Sequence, residues 1–227
     1  IIDVSGLSSG SPVGISNSAV FEGFTVTGAH ARDYCFTGVI KVSGRRPESD
    51  QETVSRIAIR QNHIVYNWAC KGGAIYVSPW KVSDADGNPY NPVIHTTVAN
   101  NVVAHNEALP GVGIYDHIGG GRSTVLVTNN VVTDTHTRSA DGEETSPGVG
   151  ISTGANSDRP DRGSESGWIR VENNIITNHY TALRNGSSAP MSESYNLCWN
   201  NDFIGSEATC IIADPRFLAR PGFVPGS

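Results

Sequence analysis

Apolar residues along this chain come in short runs broken by asparagine and glycine, and the clearest case is residues 57–77, IAIRQNHIVYNWACKGGAIYV. The runs IAI, HIV and AIYV are each only of strand length. The breaks carry Asn and Gly, which tolerate left-handed or bent backbone where β-branched residues do not. The segment therefore predicts three strands and two corners, and no helix. Variations on it recur over residues 19–42, 54–77, 94–116, 123–153, 168–185 and 195–217, after a lead-in over 1–18 and before a tail over 218–227. Repetition of this kind predicts one domain over 1–227, an all-β solenoid of about six coils with three strands per coil.

The register is set by one corner. Asn62, Asn101, Asn130, Asn174 and Asn201 are aligned there, with Ala29 in the first coil, and Asn100, Asn129, Asn173 and Asn200 precede four of them. The intervals of 39, 29, 44 and 27 residues differ because long loops are inserted at 78–92, 136–147 and 154–167. A stacked amide column can donate and accept along the stack, so these asparagines are assigned to the scaffold. Period-2 facing then points Ile57 and Ile59, Thr96 and Val98, Val125 and Val127, Ile169 and Val171 inward on the first strand. On the third strand Ile40, Ile75, Ile114, Ile151, Leu183 and Ile212 form the inward column.

Composition narrows the function classes. Only 17% of the residues are charged, Gly numbers 25, and the residues that build helices are scarce. A net charge of −6 argues against a nucleic-acid partner, which needs basic surface. No run of apolar residues is long enough to span a membrane. The opening Ile-Ile-Asp-Val, without Met or leader, predicts a processed piece of a longer protein. Four cysteines without CxxC spacing suit disulfides in an oxidising compartment. In the register Cys35 and Cys70 fall in the same corner of adjacent coils, where stacked strands at about 4.8 Å suit a disulfide. Cys198 and Cys210, on the first and third strands of the last coil, form the second predicted pair, the alternative being two buried thiols.

The segments GFTVTGAH, NHIVYNWACKGGAIYV, NNVVAHN and NNIITN, and the closing ADPRF at 213–217, resemble the right-handed parallel β-helix proteins of the pectate-lyase-like superfamily. The resemblance covers almost the whole chain from Ala19 onward and implies a secreted, carbohydrate-active protein at the cell surface or outside the cell. It lies in scaffold residues, and fold alone does not fix an activity. Members of the resembling families usually carry an amphipathic capping helix, which residues 1–18 do not suggest, so the coil ends are expected to be covered by loops, by neighbouring domains or by self-association.

Enzymes of the resembling families use an outward sheet face walled by loops. Here the outward positions beside the third-strand isoleucines are Lys41, Tyr76, Tyr115, Ser152 and Arg184. Tyrosines flanked by cations suit a sugar chain, aromatic faces taking C–H surfaces and Arg taking carboxylates; ordinary strand preference explains the same residues equally well. A uronate lyase needs carboxylate neutralisation and a base, roles for Asp116, His117 and Arg184. Paired aspartates followed by an RIK-like motif, the signature of the resembling lyases and hydrolases, are absent, so catalysis is left open. Asp84, Asp86 and Asn88 around Gly87 place oxygens at alternate positions and suit Ca²⁺, or simply a turn. Two functions are expected: a polysaccharide-acting or polysaccharide-binding domain, lyase-like on acidic glycans, or a non-catalytic adhesive domain of a surface protein or filament.

Overall fold

The computed structural model describes residues 2–3, 17–31, 38–43, 54–69, 72–78, 82–83, 89–90, 93–108, 112–117, 122–138, 145–154, 168–186, 191–205 and 209–216. The described residues are all-β, with no helix among them. They build long parallel sheets, consistent with a β-helix, and the chain visits four sheets in turn before returning to the first. Sheet 1 holds Asn17–Glu22, Val54–Arg60, Val93–Ala99, Arg122–Thr128, Trp168–Glu172 and Met191–Ser194. Sheet 2 holds Thr25–Thr27, His63–Val65, Val102–Ala104, Val131–Thr133, Ile175–Thr177 and Leu197–Trp199. Sheet 3 is narrow, with His30–Ala31, Trp68–Ala69, Glu107–Ala108, His136–Arg138 and an antiparallel return, Thr145–Pro147. Sheet 4 holds Ile2–Asp3, Gly38–Ser43, Gly72–Ser78, Val112–His117, Val149–Gly154 and Thr181–Gly186. The expected three strands per coil thus become four segments, because a two-residue strand such as Trp68–Ala69 lies inside what reads as a corner.

The core follows the alternation. In sheet 1 Ile57, Thr96, Val125 and Ile169 stack in one column and Ile59, Val98, Val127 and Val171 in the next, all buried. Sheet 2 adds Val26, Ile64, Val103, Val132, Ile176 and Cys198. Sheet 4 adds Ile40, Ile75, Ile114, Ile151 and Leu183 in register. Ile212 does not continue that column. It is exposed, and the rung beyond Leu183 is formed by Phe203 and Ile204, whose carbonyls accept from Ala182 and Leu183. Thr96 is the polar member of its column, and its Oγ1 has no hydrogen-bond partner among the described residues. A hydroxyl buried without a partner is destabilising, so Thr96→Val is expected to raise unfolding free energy by about 1 kcal/mol, read from the urea midpoint.

Two asparagine ladders fix the corners. Between sheets 1 and 2 the members are Asn62, Asn101, Asn130, Asn174 and Asn196; each Oδ1 from Asn101 onward accepts from the backbone N and the Nδ2 of the member before it, at 2.9–3.0 Å. The second proton of each Nδ2 goes to a carbonyl at the end of sheet 1, such as Ile59 O from Asn101. Asn201 and Ala29, expected at this corner, belong to the second one, between sheets 2 and 3. There Ala29 N donates to Asn67 Oδ1, and Asn67 N and Nδ2 donate to Asn106 Oδ1. Thr135 and His179 take the next two rungs, and Asn201 closes the ladder by accepting from His179 N.

Each ladder residue follows a residue with positive φ. Before the first ladder these are Gln61, Asn100, Asn129, Asn173 and Tyr195, with Gly23 before Phe24, whose N donates to Asn62 Oδ1; before the second, Gly28, Tyr66, His105, Asp134, Asn178 and Asn200. In each Asn-Asn pair the first residue makes the bend and the second makes the amide stack.

Cys198 and Cys210 form a disulfide with a Cα–Cα distance of 5.6 Å. Cys198 lies in sheet 2, not in sheet 1 as the earlier register places it, and Leu197 pairs with Ile211 in a short additional rung. The bridge therefore ties the last full rung to the segment that covers it. Cys35 and Cys70 lie outside the described residues. Among the described residues no helix is long and apolar enough to cross a membrane.

Candidate functional site

The expected platform on sheet 4 is in register but only partly accessible. Lys41, Tyr76, Tyr115, Ser152 and Arg184 pair rung to rung as predicted. Tyr76 and Ser152 are buried, however, whereas Lys41 is half-buried and Arg184 exposed. The strand Val149–Gly154 is buried on both of its faces, so small and hydroxyl-bearing residues there serve packing. Asp116 and His117 end the strand Val112–His117, opposite Thr153 and Gly154, and nothing beyond their backbone is described. Arg184 lies two rungs from Tyr115, about 10 Å along the stack. Asp84, Asp86 and Asn88 lie outside the described residues, between the antiparallel segments Val82–Ser83 and Pro89–Tyr90. Among the described residues no group of three or more His, Cys, Asp or Glu could hold a metal ion.

A different set of side chains converges at the second corner. A cleft of about 380 Å³ opens there, lined by Gly28, Ala29, His30, Tyr66, Asn67, Trp68, His105, Glu107 and Arg138. Two columns form its walls. One is the positive-φ column, Gly28, Tyr66 and His105, in which side chains are thrown outward from the bend. The other is the first position of sheet 3, where His30, Trp68, Glu107 and His136 stand in register. The floor is the asparagine ladder, with the Asn67 amide held by Val26 O, Val65 O and Asn106 Oδ1.

The two walls have different chemistry. Tyr66 stacks on His105 with ring centroids 4.9 Å apart and an interplanar angle of 11°, which is one rung spacing. Tyr66 remains 61% exposed. A tyrosine at φ 56 is a rare conformation for a bulky side chain, and outliers of this kind concentrate where the projected side chain has a use. His105 Nδ1 also lies 3.9 Å from Asp134 Oδ2, and Asp134 is oriented by the Thr133 hydroxyl at 2.8 Å.

On the other wall Trp68 is enclosed. His30 covers it at 4.3 Å between centroids, and the Arg138 guanidinium lies 5.8 Å from its ring centre. Arg138 reaches back one rung to donate to Glu107 Oε2 at 2.7 Å. The pair is partly solvated, so its contribution to stability is small; its effect here is to hold both groups at the cleft rim.

None of these lining residues stands among the candidate site residues of the sequence pattern. Tyr66 and His105 stand at positions that read as turn residues, and Trp68, Glu107 and Arg138 lie in strands too short to show a period. The signal present was the bulky residue before a ladder asparagine, Tyr66-Asn67 and His105-Asn106, where Gly or Asn is the ordinary choice. No protein-family model, curated protein or solved structure matches the chain.

Proposed function

We propose that this chain is an extracellular polysaccharide-binding domain, built as a right-handed parallel β-helix of the pectate-lyase-like kind. The observation that carries the reading is Tyr66: a largely exposed aromatic ring, held out by a strained bend and backed by His105, at the edge of a cleft whose other wall presents Glu107 and Arg138. An aromatic face with a few oriented polar groups is what a sugar ring requires. The Cys198–Cys210 bridge supports the extracellular placement. Catalysis would rest on Asp116, His117 and Arg184, with Ca²⁺ at Asp84, Asp86 and Asn88.

The reading is tested by titrating the protein with a panel of soluble polysaccharides, with and without calcium, while following the unsaturated uronate chromophore. Binding to at least one glycan is expected, and Tyr66→Ala should weaken it about tenfold. Absence of binding across the panel would remove the reading. Calcium-dependent binding lost in Asp84→Asn would assign the 84–88 loop to a metal, and chromophore formation would assign lyase chemistry.

A second reading, an adhesive domain that assembles end to end, draws on the last rung, where Phe203, Ile211 and Ile212 are all exposed. Sedimentation of the intact chain decides it: a monomer at all concentrations counts against assembly.

A further inference from the structure

Tyr66 stands at one end of a longer surface. The bend column that carries it runs on through His105, Asp134, Asn178 and Asn200, one member per rung and each at positive φ. Beside it, one residue earlier in every rung, the outward column of sheet 2 passes from Val65 through Ala104, Thr133 and Thr177 and ends at Trp199. Trp199 is 41% exposed, and it lies four rungs from Tyr66, about 19 Å along the stack.

The side chains between the two rings make a connected polar track. The Thr177 hydroxyl donates to Thr133 Oγ1, and the Thr133 hydroxyl donates to Asp134 Oδ2, each at 2.8 Å. Asn178 Nδ2 donates to Thr133 Oγ1, and Asn200 Nδ2 donates to Asn178 Oδ1. These bonds orient the groups while using only one oxygen of Asp134 and one proton-bearing atom of Asn200, so Asp134 Oδ1 and Asn200 Oδ1 are left to accept from hydroxyls. One rung adds about 4.8 Å, close to the length that one sugar unit adds to an extended chain, so successive units can meet successive rungs.

The placement of the other rings favours this direction over one across the strands. On the sheet 3 side of Tyr66 the next ring, Trp68, is buried beneath His30 and Arg138. On the sheet 2 side Phe24 stands at the far corner and stacks on Phe21 of the core. Near the other end of the track Tyr180 is set edge-on to Phe203, and Tyr195 belongs to the opposite corner, which leaves Trp199 as the ring that follows the track.

Resting on the polysaccharide reading, we infer that the glycan lies along the stack, with one sugar ring on Tyr66, another on Trp199 and three units between them over His105, Asp134 and Asn178. The protein then reads the interior of a chain of five or more units. Short oligosaccharides settle at Tyr66, where the cleft walls add Glu107 and Arg138.

Chain length is the probe. The intact protein is titrated calorimetrically with cello-, manno- and galacturonate oligosaccharides of two to eight units. In the series that binds, affinity is expected to rise about tenfold between three and five units and to level off beyond. Tyr66→Ala should weaken every length, whereas Trp199→Ala should leave the trimer unchanged and bring the pentamer down to trimer affinity, about a tenfold loss that Trp199→Phe, with its flat ring, restores. No gain in the parent between three and five units would overturn the inference and leave the polysaccharide reading standing. So would a Trp199→Ala variant, melting as cooperatively as the parent, that left the pentamer unchanged or weakened trimer and pentamer alike. If no oligosaccharide binds, the polysaccharide reading fails and the inference with it.

Discussion

Asn101→Ala is expected to destabilise the fold by about 4 kcal/mol, measured by urea unfolding, although it removes only a small polar side chain. Asn101 Oδ1 accepts from both Asn62 N and Asn62 Nδ2, and its own Nδ2 donates to Ile59 O and to Asn130 Oδ1. Asn62, Asn101 and Asn130 are each at most 1% exposed, so water cannot replace these bonds. Truncation leaves the Asn62 N–H without its acceptor and Ile59 O without this donor, each costing about 1–3 kcal/mol when buried. Asn101→Asp keeps the acceptor and loses both donations, and it places an anion against Asn130 Oδ1. Its folded-state carboxyl is therefore held protonated more readily than in the unfolded chain, and the variant should regain stability as the pH falls. The neighbouring Asn100 gives the contrast. It is exposed at φ 58, so Asn100→Gly is expected to change stability by less than about 1 kcal/mol. A loss below about 1 kcal/mol in Asn101→Ala would mean that the ladder is a geometric by-product and not a source of stability.

The same two residues show how much of the fold could be read in advance. Asn-Asn pairs mark a corner because one residue bends and the next stacks, and this phased the sheet 1 columns from Ile57 to Val171 correctly. The sheet 4 isoleucines fell into place with them, up to Leu183. In the last coil the rule met two candidates, Tyr195-Asn196 and Asn200-Asn201, and the Asn-Asn pair drew the register to the wrong corner. A five-residue spacing resolves it, since Asn62 and Asn67, Asn101 and Asn106, and Asn196 and Asn201 occupy the two ladders of one coil. That spacing also reveals the fourth segment, which period 2 cannot detect in two residues. Tyr76 was legible as an outward strand position, but its burial depends on what packs over sheet 4, which alternation does not encode. The cleft was less legible still, because its walls depend on which bends stack on which.

The second ladder contains the second large effect, a loss of about 3 kcal/mol of stability between pH 6.5 and pH 4 that traces to His179. Thr135 and His179 stand where asparagines would continue the stack, and Thr135 N donates to His179 Nε2 at 3.3 Å. The accepting Nε2 must be unprotonated, so the neutral ring carries its proton on Nδ1, which has no partner among the described residues. Thr135 Oγ1 is likewise without one, and the two atoms face Gly150 and Gly113, where a Cβ would lie 3.3 Å from His179 Nδ1 and 2.9 Å from Thr135 Oγ1. Burial is the main reason that the imidazole is lowered from 6.5 to about 4; Asp134 and the Asn201 hydrogen bond oppose the shift, and His136 adds to it. A second proton would also set a donor on Nε2 against the Thr135 N–H. Above pH 6.5 both folded and unfolded chains hold a neutral ring, and stability from this residue is complete. As the pH falls from 6.5 to 4 the unfolded chain takes up a proton that the folded one refuses, so stability drops, and below 4 the loss is complete. Carboxylates titrate in the lower part of this range, so the readout is a difference: His179→Asn, which returns the ladder residue to that rung, should flatten the curve by about 3 kcal/mol relative to the parent. Parallel curves for the two proteins would show that the buried imidazole does not control the acid limb.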